Sequence, residues 1–71
     1  MIRLISGDFC SRCHMIAPLL KSYAENNGLT FEEVNINEAN PEDIEGETML
    51  PIIIWNGKHI SYEETLQKIT Q

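Results

Sequence analysis

Two cysteines stand at positions 10 and 13 of a 71-residue chain, with His14 directly behind the second, and they are its only thiols. Three chemistries use that spacing. Two thiols separated by two residues can cycle between dithiol and disulfide. The run Cys-Ser-Arg-Cys-His is also the attachment pattern of a c-type haem, with thioethers at Cys10 and Cys13, His14 on the iron and Met49 as a second axial ligand. A closed zinc site needs four ligands, and Cys10, Cys13, His14 and His59 are the strong nitrogen and sulfur candidates. A mere crosslink is a poor reason for the pair. The chain-entropy model credits so short a loop with roughly 2 kcal/mol, against about 3 for a 15-residue loop.

The elements around the pair decide which chemistry it can do. "IRLIS" reads as a strand that ends at the Gly7-Asp8 turn. Cys13, Ile16, Ala17, Leu20, Tyr23 and Ala24 then recur at three- and four-residue spacing, a helical pattern that stops at Asn26-Asn27-Gly28. Pro18 lies inside it and should kink the helix about one turn in. "TFEEVNI" reads as a second strand, charged enough to be an edge. Asn40-Pro41 should cap and open a short helical turn through Ile44. "PIIIWNGKHI" reads as a hairpin on an Asn56-Gly57 primed turn. Ser61 and Glu64 fit a capping box opening a last helix with Leu66 and Ile69 inward. The order is βαβ followed by ββα: an α/β domain over residues 1–71, with a four-stranded mixed sheet packed by helices. Its first two strands are parallel through a right-handed crossover.

This order puts Cys10 where the first strand hands over to the first helix. A helix N-terminus carries unpaired N–H groups and a partial positive charge that stabilise an anion, here the nucleophilic thiolate. Arg12 and His14, close in sequence, would add to that field, His14 only while protonated. Cys13, one turn on, should face inward. The expected division of labour is that Cys10 attacks a substrate disulfide and Cys13 resolves the mixed disulfide.

The chain carries a formal net charge of −6. From Glu25 to Glu47 acidic residues recur without a lysine or arginine between them. That balance disfavours phosphate-backbone contacts, so nucleic acid is not an expected partner. No apolar run reaches the roughly 20 residues of a membrane helix, and "MIRLIS" shows no export signal. A soluble cytoplasmic protein is therefore expected. In a reducing compartment a close cysteine pair points to catalysis or metal binding.

Together these residues resemble the thioredoxin superfamily over nearly the whole chain. "CSRCHMIAPLL" is similar to the thioredoxin run of C-x-x-C, one usually basic residue, then "MIAP". "LTFEEVNIN" is similar to the strand that follows it. "MLPIIIWNGKHI" resembles the thioredoxin and glutaredoxin pattern in which a cis-proline precedes a strand and an N-G turn. The resemblance implies a minimal thioredoxin fold and a monomeric protein-disulfide reductase, with no bound cofactor and a redox-active Cys10–Cys13 disulfide. It also implies a cis peptide before Pro51, beside the cysteines, where the backbone of Leu50 could pair with an extended substrate. Phe9, Met49 and Leu50 would form an apolar docking rim, with Pro51 and the intervening Ser11 and Arg12 also facing substrate.

The departures from the family carry expectations of their own. The chain lacks the extra N-terminal strand and helix of full thioredoxins, which leaves a glutaredoxin-like outline. Glutaredoxins hold glutathione with a Gly-Gly and acidic pair after the last strand; here "ISYEE" stands there, favouring a flavin-linked thioredoxin-type reductase as electron source. Thioredoxins have a buried aspartate six residues before the first cysteine, and Leu4 occupies that position. Glu33 falls where the family usually has the lysine paired with that acid, so Glu33 is the candidate proton relay to Cys13. A non-enzymatic binding module of the same fold and the c-type haem protein remain the alternatives.

Overall fold

The computed structural model describes residues 1–47 and 49–70. It runs β1 (Ile2–Ser6), α1 (Ser11–Asn26), β2 (Phe31–Asn35), a 3-10 turn (Ile36–Glu38), α2 (Pro41–Ile44), β3 (Ile52–Trp55), β4 (Lys58–Ile60) and α3 (Tyr62–Ile69). The sheet order is β2-β1-β3-β4, with β1 parallel to β2 and antiparallel to β3, and β3 antiparallel to β4. This is the mixed four-stranded α/β sheet expected from the order of elements.

Alternation along the two central strands gives the sheet two apolar faces. Ile2, Leu4 and Ile53 point to one side and pack with Ile16, Leu20 and Ala24 of α1. Leu66 and Ile69 of α3 pack against the same cluster. Trp55 ties the layers together, with the Tyr23 ring 5.4 Å away and Lys68 Nζ 5.5 Å from its centroid. On the other side Ile5, Ile52 and Ile54 are covered by Ile36, Ala39, Ile44 and Leu50. That cover is thin: among the described residues its helical elements are the 3-10 turn and the four-residue α2.

A polar chain fastens the thin cover. Arg3 sits between the two acids, its Nε 3.0 Å from Glu32 Oε1 and its Nη1 2.9 Å from Asp43 Oδ2. The backbone carbonyl of Asp43 in turn lies 2.9 Å from His59 Nε2. Arg3, Glu32, Ile54 and His59 stand in one row across the sheet, so α2 is tied down across three strands.

The local signals behave unevenly. Asn56 and Gly57 both have positive φ, 52° and 82°, as a primed hairpin turn requires. Helix α1 is one continuous element that contains Pro18 rather than ending at it. Its C-terminus closes at Asn27, after which Leu29 N donates to Ala24 O at 2.8 Å and Gly28 takes a φ of 66°. Pro41 opens α2, but Asn40 makes no side-chain cap bond to it. Ser61 Oγ accepts from Glu64 N at 3.0 Å, the Ser61 half of the expected box. Thr65, and not only Leu66 and Ile69, faces the core: it is fully buried, its hydroxyl donating to Ser61 O at 2.8 Å.

Candidate active site

The β1–α1 junction explains the placement of both cysteines. Gly7 and Asp8 turn the chain, with Cys10 N donating to Gly7 O at 3.3 Å. Cys10 is then the N-cap of α1, its backbone still extended. Its sulfur accepts a hydrogen bond from Cys13 N at 3.1 Å, as a capping side chain does. No acidic residue stands in the first turn of the helix, so nothing there opposes the positive helix end. Cys10 and Cys13 form a disulfide across this turn, their Cα atoms 5.2 Å apart. Cys10 is part-exposed while Cys13 has no exposed surface. Of the pair, Cys10 presents surface to solvent and Cys13 does not.

The neighbours divide into those that hold the loop and those that frame it. His14 Nε2 lies 3.4 Å from the backbone carbonyl of Asp8, so the ring turns back on the loop that carries Cys10. Asn35 Nδ2 donates to Asp8 Oδ1 at 3.1 Å, and Asn35 Oδ1 accepts from Asn37 N at 2.9 Å. This drawing of the Asp8 carboxylate toward β2 depends on contacts 27 residues apart, and sequence reasoning missed it. Arg12 reaches the other way and lays its guanidinium over the Tyr62 ring, 5.3 Å from the centroid. Ser11 is exposed in the first turn.

The Leu50–Pro51 peptide is cis. β1 and β3 are antiparallel neighbours, so the end of β1 and the start of β3 share one edge, and Pro51 stands beside the cysteine loop. Two grooves meet at Leu50, and one of them takes in Cys10. One, of about 560 Å³, is lined by Gly7, Phe9, Cys10, Ile36 and Leu50. The second, about 490 Å³, runs past Arg12, Met49, Leu50, Pro51 and Tyr62 to the head of α3. Phe9 is fully exposed and Met49 is 70 % exposed. The structure thus brings Cys10, Cys13, Phe9, Ser11, Arg12, Met49, Leu50 and Pro51 to one end of the sheet.

Glu33 stands apart. Its strand position pairs with Leu4, and alternation from Phe31 puts it on the sheet face that α1 covers. It lies at the exposed edge, and among the described residues no hydrogen bond joins it to either cysteine. Leu4 itself is fully buried. The histidines do not converge either. His59 belongs to β4 and bonds Asp43 O, on the sheet face opposite α1, whereas His14 engages Asp8. Among the described residues no group of three or more His, Cys, Asp or Glu side chains is arranged to hold a metal ion.

No protein-family model matches the chain, and no curated protein matches it in sequence. Solved structures do. Thioredoxin 1 from the thermophilic eubacterium Thermosipho africanus superposes with a TM-score of 0.68 at 21 % identity, over 97 % of this chain and 89 % of that one. The reduced Schistosoma mansoni thioredoxin pre-protein gives 0.66 at 22 % identity, over 97 % and 74 %. The thioredoxin-like protein BC3987 gives 0.63 at 16 % identity, over 97 % and 99 %. With its cysteine pair at the head of α1 and its cis-proline opening β3, the chain adopts a small thioredoxin fold.

Proposed function

We propose that the protein is a thiol-disulfide oxidoreductase that reduces protein disulfides through a Cys10/Cys13 cycle. One observation carries this reading: a disulfide spans the first helical turn, with Cys10 part-exposed and Cys13 buried behind it. In the reduced protein the Cys10 thiolate attacks a substrate disulfide, forming a mixed disulfide and releasing the first substrate thiolate. Cys13 loses its proton, and its thiolate attacks Cys10 Sγ and releases the second. The substrate gains two electrons and two protons overall, and the protein is left as the Cys10–Cys13 disulfide. The Cys13 N–H that reaches Cys10 Sγ favours the thiolate, because a hydrogen bond to the charged form stabilises it.

A flavin-linked thioredoxin-type reductase, rather than glutathione, returns the dithiol on this reading. Glu63 and Glu64 occupy the first turn of α3, and Glu63 lines the groove that begins at Arg12. Carboxylates there repel the carboxylates of glutathione. The substrate docks along Phe9, Ser11, Arg12, Met49 and Leu50, pairing with the backbone ahead of Pro51. The protein acts as a monomer in the cytoplasm, where such a dithiol stays reduced; no helix among the described residues is long and apolar enough to cross a membrane. Glu33 serves as proton acceptor for Cys13, a role supported by its register with Leu4.

Insulin reduction, with glutathione and with NADPH plus thioredoxin reductase offered separately, tests the scheme. Turnover is expected with the reductase and is abolished in Cys10→Ser. Cys13→Ser instead accumulates a mixed disulfide visible by mass spectrometry. No turnover from either electron source would overturn the assignment. For Glu33, the expected result is that Glu33→Gln shifts the pH dependence of mixed-disulfide resolution; an unchanged profile removes it from the mechanism.

A further inference from the structure

Gly7 is buried at the end of β1, three residues before the reactive cysteine. Its backbone does not need a glycine, for it lies outside the positive-φ region that Gly28, Gly46 and Gly57 occupy. Its surroundings do need one. A Cβ at position 7 would lie 2.7 Å from Leu50 Cδ1, nearer than two such carbons approach, while the next atom, Ile36 Cγ2, is 3.9 Å away. One side chain therefore occupies the space that any other residue at position 7 would take.

Leu50 is the wall shared by the groove at Cys10 and the groove past Arg12, and it also lines a third cavity of about 240 Å³ with Ile36 and Ile52. Its side chain packs into the apolar cluster of Ile5, Ile52 and Ile54, while its carbonyl belongs to the cis peptide with Pro51. Leu50 thus joins a groove wall to the backbone ahead of Pro51. The clash partner is the far end of a flexible side chain, so an added methyl group can be met by moving Leu50 rather than by opening the sheet.

We propose that Gly7 is a positioning residue: by carrying no side chain it lets Leu50 lie against the cysteine loop, which fixes the Met49–Pro51 segment at pairing distance from a substrate bound to Cys10. This rests on the disulfide-reductase reading and adds to it a residue that touches neither sulfur nor substrate. It separates recognition of an extended polypeptide, which needs that segment in place, from the thiol chemistry of Cys10, which does not.

The test compares wild type, Gly7→Ala, Leu50→Ala and the double variant on two oxidants. Insulin needs the docking segment; 5,5′-dithiobis(2-nitrobenzoate), a small aromatic disulfide, needs only an accessible thiolate. Gly7→Ala is expected to raise KM for insulin several-fold with little change in kcat, so that the ratio of insulin to small-disulfide rates falls by the same factor. The double variant should match Leu50→Ala, because the methyl group then has nothing to displace. If Gly7→Ala alone folds poorly, recovery of its melting temperature in the double variant reports the same contact. A wild-type ratio in Gly7→Ala, or effects that simply add in the double variant, would overturn the proposal. Wild-type protein that reduces neither oxidant would overturn the reductase reading instead, and this proposal with it.

Discussion

The two sulfurs of the pair live in different surroundings, and that difference has a direct chemical readout. Cys13 has no exposed surface, whereas Cys10 caps the helix from the solvent side. After reduction, iodoacetamide should label Cys10 and leave Cys13 protected until the protein is denatured. Peptide mass spectrometry of the alkylated protein checks this, and equal labelling of both thiols would contradict the assigned roles. Arg12, in the first turn of α1, lays its guanidinium over Tyr62 on α3. At this exposed site the contact contributes about 0.5–1 kcal/mol. It therefore ties the head of α1 to the head of α3 and lends its charge to the groove between them.

Among the elements, those with a chemical signature in a few adjacent residues were legible in the sequence. Asn56-Gly57 specifies its hairpin because both positions need positive φ, and Ser61 specifies the start of α3 because its hydroxyl reaches Glu64 N. Replacing Ser61 by alanine should cost about 1 kcal/mol, measured by urea denaturation. An undiminished midpoint would mean that Thr65, bonded to Ser61 O, holds that turn by itself. What the sequence concealed lies in contacts between distant segments. Burial of Thr65 is set by how α3 lies on the sheet, and its residue type gives no hint of it. The Arg3–Asp43 pair joins residues 40 apart, and the Gly7–Leu50 contact joins two turns with no shared periodicity. Pro18 lies inside α1, which carries on past it to Asn26 while Ile16, Leu20 and Ala24 of the same helix stay buried in the core. The cysteine site was readable because its chemistry is compact, with a cap, a turn and a thiol in one short run.

For the molecule as a whole, the governing fact is how little core there is. Among the described residues the apolar cluster beneath α1 has six buried members, Leu20 one of them. Leu20→Ala should cost about 2–5 kcal/mol, a large part of the 5–15 kcal/mol typical of a domain. At about 4–8 °C per kcal/mol for a chain this size, a 3 kcal/mol loss lowers the melting temperature by about 12–24 °C in a calorimetric scan. The disulfide offers limited insurance. Its loop is short enough that reduction should cost no more than about 2 kcal/mol by chain entropy, so the dithiol form remains folded while it works.

The cysteine loop and the Pro51 segment hang from β1 and β3, the two innermost strands, which are paired to each other along four residues. While that ladder stands the anchors of both halves keep their spacing, and neither half can persist once it parts. Loss of the sheet is therefore loss of the centre. Along a urea titration, catalytic turnover and far-ultraviolet ellipticity should fall on a single curve, so that inactivation and denaturation are one event.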